Sequence, residues 1–340
     1  MKLIPLFLLV GMLAMSGWAQ NAKPEPYSPE LVKNAEAGDA RAQFSLGVCY
    51  GGGKGVSQDY TEAVKWWTKA AEQGNIDAQY NLGLRYYDGF GVAKDYKEAV
   101  KWFTKAAEQG IGEAQCSLGL CYYKGEGVTK DSKEAVKWFT KAAEQGSVHA
   151  ECNLGLCYYE GAGVDKDYKE AVKWFTKAAE QGDERAQRNL GSCYKYGKGV
   201  AQDSKEAIRW MTKAAEQGDA DAQLILGRCY YKGEDVTQDY KESVKWCEKA
   251  AEQGNVMAQL NLGRGYYSGE GVTQDYREAV RWFTKAAEQG NATAQFLLGQ
   301  CYNNGGGVAR DYKEAMKWYT KSAEQGNEGA KKALELLKSK

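Results

Sequence analysis

Apolar residues recur along this chain with helical spacing, in two stripes separated by glycine. Between residues 78 and 113, Ala78, Leu82 and Tyr86 fall at four-residue steps on one face of a helix. Gly89 and Gly91 follow and end it, because glycine accepts backbone angles that other residues avoid. Val92 is an apolar plug in the turn. Asp95-Tyr96-Lys97-Glu98 opens a second helix, in which Asp95 can cap the free amides and Glu98 can reach back. Ala99, Trp102, Phe103, Ala106 and Ala107 form its buried stripe, and Gly110 stops it. Small residues matter too: Ala106, Ala107 and the mid-helix Gly83 let neighbouring backbones approach, while Trp102 fills the gap between helices.

The whole pattern returns every 36 residues, marked by Trp66, Trp102, Trp138, Trp174, Trp210, Trp246, Trp282 and Trp318. Eight units start at Ala42, Ala78, Ala114, Ala150, Ala186, Ala222, Ala258 and Ala294. One helical hairpin cannot bury such stripes alone, so the units must stack. The expected fold is an all-α superhelical solenoid of eight helix–turn–helix repeats, at a helix spacing of ~8–10 Å. Its segments are a signal peptide at 1–19, a flexible leader at 20–28 and an N-terminal capping half-repeat at 29–41. Eight repeats at 42–329 and a lysine-rich capping helix at 330–340 complete one continuous domain.

The consensus A-Q-x-x-L-G-x-x-Y-x-x-G-x-G-V-x-x-D-Y-x-E-A-V-K-W-x-x-K-A-A-E-Q-G closely resembles the Sel-one-like repeat (SLR) family, of the tetratricopeptide-type α/α repeat superfamily. The resemblance covers about Ala42 to Gly326. It implies a right-handed superhelix of antiparallel helix pairs that acts as a scaffold or adaptor in protein complexes, in bacteria often exported. Four positions depart from the pattern. Asp235 stands for a loop glycine, Ile111 for a helix-capping Asn, Asp or Ser, and Arg85 and Gly265 interrupt a column of cysteines.

Charge narrows the partner. Lys plus Arg and Asp plus Glu both number 45, so no net field draws nucleic acid or an anionic membrane. Met1-Lys2, the apolar run from Leu3 to Met15, and the small residues before Ala19 read as a secretory signal. No later stretch is apolar enough to span a bilayer, so the expected product is exported, periplasmic or secreted, without membrane insertion.

Nine cysteines demand an account in an exported chain. Cys49, Cys121, Cys157, Cys193, Cys229 and Cys301 share one repeat position, and equivalent positions in stacked units are too far apart for a disulfide. They read as buried thiols serving as small apolar fillers. The alternative, a disulfide tying two helices as in cysteine-rich Sel-like proteins, would apply only to Cys229 and Cys247. The chain has one histidine, His149, and no CxxC, which gives no metal site. No nucleophile–base pair or phosphate loop stands out, so no catalytic residue and no cofactor is assigned. Resemblance to cysteine-rich Sel-like proteins leaves one enzymatic alternative, β-lactam binding or hydrolysis, with Ser192-Cys193-Tyr194-Lys195 as a lone Ser-x-x-Lys match.

Partner binding is expected where units differ. One first-helix column runs Val48, Leu84, Leu120, Leu156, Ser192, Arg228, Arg264 and Gln300; another contains Tyr87, Tyr123, Tyr159, Lys195, Tyr231 and Tyr267. Tyrosine and arginine commonly carry binding energy. Tyr87, Tyr123, Tyr159, Tyr231, Tyr267, Arg228 and Arg264 are therefore the candidate surface for a protein or peptide partner, the alternative being that they pack against the next unit.

Overall fold

In a computed structural model the chain is described over residues 23–338, which carry helices and no strand. The proposed signal segment lies outside the described residues. The chain falls into two compact units. The first, ending at Gln181, holds α1 (Pro29–Glu36), α2 (Ala40–Gly52), α3 (Tyr60–Glu72), α4 (Ile76–Asp88), α5 (Tyr96–Glu108), α6 (Gly112–Lys124), α7 (Ser132–Glu144), α8 (Val148–Glu160) and α9 (Tyr168–Glu180). The second, from Gly182, holds α10 (Glu184–Tyr196), α11 (Ser204–Glu216), α12 (Ala220–Lys232), α13 (Tyr240–Glu252), α14 (Val256–Ser268), α15 (Tyr276–Glu288), α16 (Ala292–Asn304), α17 (Tyr312–Glu324) and α18 (Glu328–Lys338). Within each unit every helix packs on the next in sequence, as short connections require.

The local chemistry of one hairpin explains the rest. Asp95 caps α5, its carboxylate accepting from the Lys97 and Glu98 amides at 2.8 and 3.1 Å. Glu98 does not complete a capping box. It pairs with Lys101 at 2.9 Å, while the Asp95 amide donates to the Tyr86 carbonyl at 2.9 Å. The amide that Glu98 would have satisfied is already taken by the preceding helix. Asn75 caps α4 through the Ala78 amide at 2.9 Å, but Ile111 offers α6 no such bond, and neither does Ser147 for α8. Helix C-termini close on left-handed glycines, Gly89 among them at φ +81°. Asp235 takes the left-handed conformation at φ +66° in a loop where other repeats use glycine.

Phe103, Phe139, Phe175 and Phe283 are fully buried, each ring lying on a glycine of its own hairpin. A Cβ on Gly83 would sit 2.6 Å from the Phe103 ring, and one on the equivalent Gly119 would also come within 3.2 Å of the Ala135 carbonyl, so this position admits both a ring and a neighbouring backbone. The tryptophans are less uniform: Trp102, Trp210, Trp246, Trp282 and Trp318 are buried, whereas Trp66, Trp138 and Trp174 are half-buried. Each ring carries a lysine one turn on, as Lys105 lies 4.3 Å from the centre of Trp102.

A hydrogen-bonded pair of glutamines ties the two helices of a hairpin, and one of the pair reaches back to the hairpin before. Buried Gln115 donates to the Ala107 carbonyl at 3.1 Å and accepts from Gln145, 30 residues on, at 2.8 Å. The same clasp recurs at Gln43, Gln79, Gln223, Gln259 and Gln295. At this position repeat four has Glu151, which is buried and accepts from Gln181 at 2.7 Å. Its pKa is raised by burial, with Lys177 and Gln181 pulling the other way.

Residues 23–28 precede α1 without helical structure, and the Glu25 amide donates to Ser45 Oγ on α2 at 3.1 Å. Ser28 caps α1 through the Leu31 amide at 3.0 Å. At the other end Ala330 of α18 is buried against Tyr319.

Candidate functional site

The candidate residues occupy the last two turns of the first helix of each repeat, and the structure sorts them by exposure. Tyr87 is only 6% exposed, packed on Tyr96 and Phe103, and its hydroxyl donates to Glu126 in the loop of the next repeat. Burial and that carboxylate both raise its pKa, burial foremost. Tyr123 and Tyr159 are half-buried, the Tyr123 hydroxyl donating to Glu160 at 2.7 Å and the Tyr159 ring packing edge-on to Tyr168. In contrast Tyr231 and Tyr267 are 47% and 43% exposed. Tyr231 still reaches its neighbour, donating to Glu270 at 3.1 Å.

The companion column divides the same way. Val48, Leu84 and Leu156 are buried and Leu120 half-buried, whereas Arg228 and Arg264 are exposed. Several arginines of the second unit are paired: Arg188 with Asp219 and Asp221, Arg209 with Glu206, Arg281 with Glu278. Arg228 and Arg264 make no ion pair or side-chain hydrogen bond among the described residues.

Arg228, Tyr231 and Arg264 lie on one pocket of about 350 Å³ between α12, α13 and α14. Exposed side chains form its rim, including Met257, 48% exposed, at a position that Asp77, Glu113 and Asp221 hold in other repeats. Buried groups form its floor: Gly227, Ser243, Cys247, Leu262 and Gly265. The cavity has a cause in sequence. Cys247 stands where repeats two, three, four and seven have a phenylalanine ring, and Gly265 stands in the cysteine column. Two side chains are thus shortened across one helix contact. Ser243 replaces alanine there and anchors α13 to α12, donating to the Gly227 carbonyl at 2.7 Å. The sequence marks Cys247 only as a possible disulfide partner of Cys229; its juxtaposition with Gly265 follows from the packing of α13 on α14.

The cysteines are all buried. Burial pushes the thiols of Cys121, Cys157 and Cys193 up to about 12 and those of Cys247 and Cys301 up to about 11, which keeps them protonated and poorly nucleophilic. Cys229 and Cys247 are both free thiols in the structure. Arg85, which replaces a cysteine in that column, is buried among Tyr60, Trp67 and Phe90, and burial lowers its pKa. Ser192 is half-buried, and Lys195 is committed elsewhere: its ammonium lies 2.9 Å from Asp235 and 3.5 Å from Cys229. Burial alone would lower the Lys195 pKa, but these contacts outweigh it and raise it. No cluster of three or more His, Cys, Asp or Glu poised to hold a metal occurs among the described residues, and His149 is exposed. Nor is any described helix long and apolar enough to cross a membrane.

The eight hairpins have relatives. A family model described as Sel1 repeat matches residues 40–75, 76–111, 112–147, 148–183, 184–219, 220–255, 256–291 and 292–327. No curated protein matches. Among solved structures, a protective antigen present in uropathogenic Escherichia coli strains, displaying an SLR fold, is 44% identical with a TM-score of 0.74. The alignment covers 90% of this chain and 66% of that one, so the present chain spans just under two thirds of the antigen's length. A Sel1 repeat protein from Oxalobacter formigenes is 38% identical over 91% of this chain and 89% of that one, with a TM-score of 0.67. Eight consecutive matches across an all-helical repeat fold, with two such relatives, establish the conclusion: this chain belongs to the Sel1 repeat family.

Proposed function

We propose that the protein is an exported interaction scaffold that holds a peptide or helix of a partner protein on its first-helix face. Sel1 repeat proteins are generally protein-interaction scaffolds, which supports the class. The observation that carries the reading here is the pair of unpaired arginines, Arg228 and Arg264, beside exposed Tyr231 and Tyr267 on successive repeats. A solvent-facing row of these residue types costs the fold nothing to keep and offers hydrogen bonds, stacking and charge to a partner. Tyr87 contributes to the frame instead, since its ring and hydroxyl are both engaged. The export reading rests on the apolar N-terminal run that precedes Ala19.

The β-lactam alternative gains no comparable support, because a lysine held by Asp235 and kept protonated is a poor base for Ser192. The deciding experiment is affinity capture from envelope and culture-medium fractions, using the mature chain beside a Tyr231→Ala/Tyr267→Ala/Arg228→Ala variant. Named partners retained by the first and lost by the second are expected; identical partner sets would overturn the placement of the surface. N-terminal sequencing of the protein recovered from those fractions tests the export: a chain beginning near Gln20 is expected, and one still beginning at Met1 in the cytosol would refute it.

A further inference from the structure

We propose that the pocket between α12, α13 and α14 receives one large apolar side chain from an acidic peptide segment, whose flanking carboxylates are held by Arg228 and Arg264. This rests on the scaffold reading and gives that surface a specificity.

The shape argument starts from the frame. In repeats two, three, four and seven a phenylalanine ring lies on the mid-helix glycine and fills this space, as Phe283 does on Gly263, where an added Cβ would come within 2.6 Å of the ring. In repeat six the equivalent glycine, Gly227, meets the Cys247 sulfur in place of a ring, with the Ser243 carbonyl oxygen 3.2 Å from the position of an added Cβ. The missing ring and the missing side chain at Gly265 leave about 350 Å³, at the small end of ligand pockets and ample for one aromatic or branched side chain. The floor is mainly apolar, with the Ser243 hydroxyl already donating to the Gly227 carbonyl, so a polar group placed deep inside would lose its hydrogen bonds to water without replacement. Met257 at the rim is flexible and polarisable, suited to closing on side chains of varied outline.

Charge selects what surrounds that side chain. Arg228, Lys232 and Arg264 stand at the rim against one acid of the lining, Glu270. Lys232 is paired with Glu234 at 3.1 Å, and Glu270 already accepts from Tyr231 and Ser268. The two guanidiniums are left over, and a planar guanidinium matches a carboxylate in a two-point contact. A basic segment would meet two uncompensated positive charges, whereas an acidic one neutralises them.

The test is selection of a random dodecapeptide display library on the full chain, followed by fluorescence anisotropy of the leading peptide at low and high salt. Two variants read out the pocket. Cys247→Phe installs the ring that other repeats carry, and Arg228→Gln/Arg264→Gln removes the surface charge with little risk to folding. Enriched sequences should place Asp or Glu beside Trp, Phe or Leu. Each variant should weaken the leading peptide at least about tenfold, and salt should weaken binding to the native chain far more than to the double glutamine variant. If Cys247→Phe fails to fold, the glutamine variant alone decides. Enriched peptides without the acidic–apolar pattern, or indifferent to these variants, would overturn the pocket while leaving the scaffold reading intact. A library yielding no binder would overturn the pocket, and capture of partners dependent on Tyr231 and Tyr267 would then decide the scaffold reading separately.

Discussion

Repeat three, in the first unit, and repeat six, in the second, are built on one frame and filled differently. In repeat three Phe139 lies over Gly119, fully buried, and Tyr123 leans on its neighbour through Glu160. In repeat six Cys247 takes the ring's place, Tyr231 stands nearly half exposed, and Arg228 occupies the position of Leu120. The second-helix caps Asp131 and Asp239, the left-handed glycines Gly125 and Gly233 and the glutamine clasp are common to both. A repeat can therefore lose its core ring and still be held, because the frame does not depend on that one side chain. Specialisation falls on the positions that the frame leaves spare.

The sharpest way to break this comparison is truncation at the matched position. Phe139→Ala should cost about 3–5 kcal/mol, since a fully buried ring leaves a cavity that a stacked hairpin cannot close. Cys247→Ala should cost about 1 kcal/mol, because the space beside it is already open. Urea unfolding followed by circular dichroism measures both, and equal losses would mean that repeat six is packed as tightly as repeat three.

A smaller effect concerns the clasp. Glu151 is the one acid in the buried glutamine column, and Glu151→Gln should stabilise the protein by roughly 1 kcal/mol at neutral pH by restoring an amide that can donate to the preceding helix. The pH dependence has a definite sign. The folded-state pKa of Glu151 is raised, so ionising it costs stability as pH climbs out of the ordinary carboxylate range. The gain should be full near pH 7 and vanish below about pH 4, where both folded and unfolded chains hold the proton. A gain independent of pH would show that charge is not the cause.

The smallest prediction separates two uncapped helices. Ser147→Asn should add about 0.5–1 kcal/mol by supplying the bond that Asn75 makes at α4. Ile111→Asn should add less, because the partly buried Ile111 side chain is packed in the core and would be lost. Thermal melts of the two variants side by side test the ranking.

Much of this was legible in the sequence. The period, the caps at Asp95 and its equivalents, the bare N-terminus at Ile111 and the left-handed Asp235 follow from local residue chemistry. The glutamine clasp was missed although its signal was present, since A-Q and E-Q-G recur with the same period as the tryptophans. Partners 30 residues apart come together only when the two helices of a hairpin pack on each other. The tyrosines were harder for the same reason. Tyr87 and Tyr231 share one repeat position and both hydroxyls reach a glutamate 39 positions on, so that contact does not separate them; Tyr87 also rests on Phe103 of its own hairpin, where repeat six has Cys247.

The clasp has a consequence for how such a gene can change. Each links a glutamine near the start of one 36-residue period to a glutamine near its end, and its amide reaches back to the hairpin before. A segment of one period, copied or excised in frame within a unit, carries a complete set of these contacts wherever the cut falls. Neighbouring modules find the same partners as before, so copy number can drift by recombination between similar repeats without new compensating substitutions, whereas the pocket, built from the sixth repeat and the first helix of the seventh, can be moved only if those two repeats travel together.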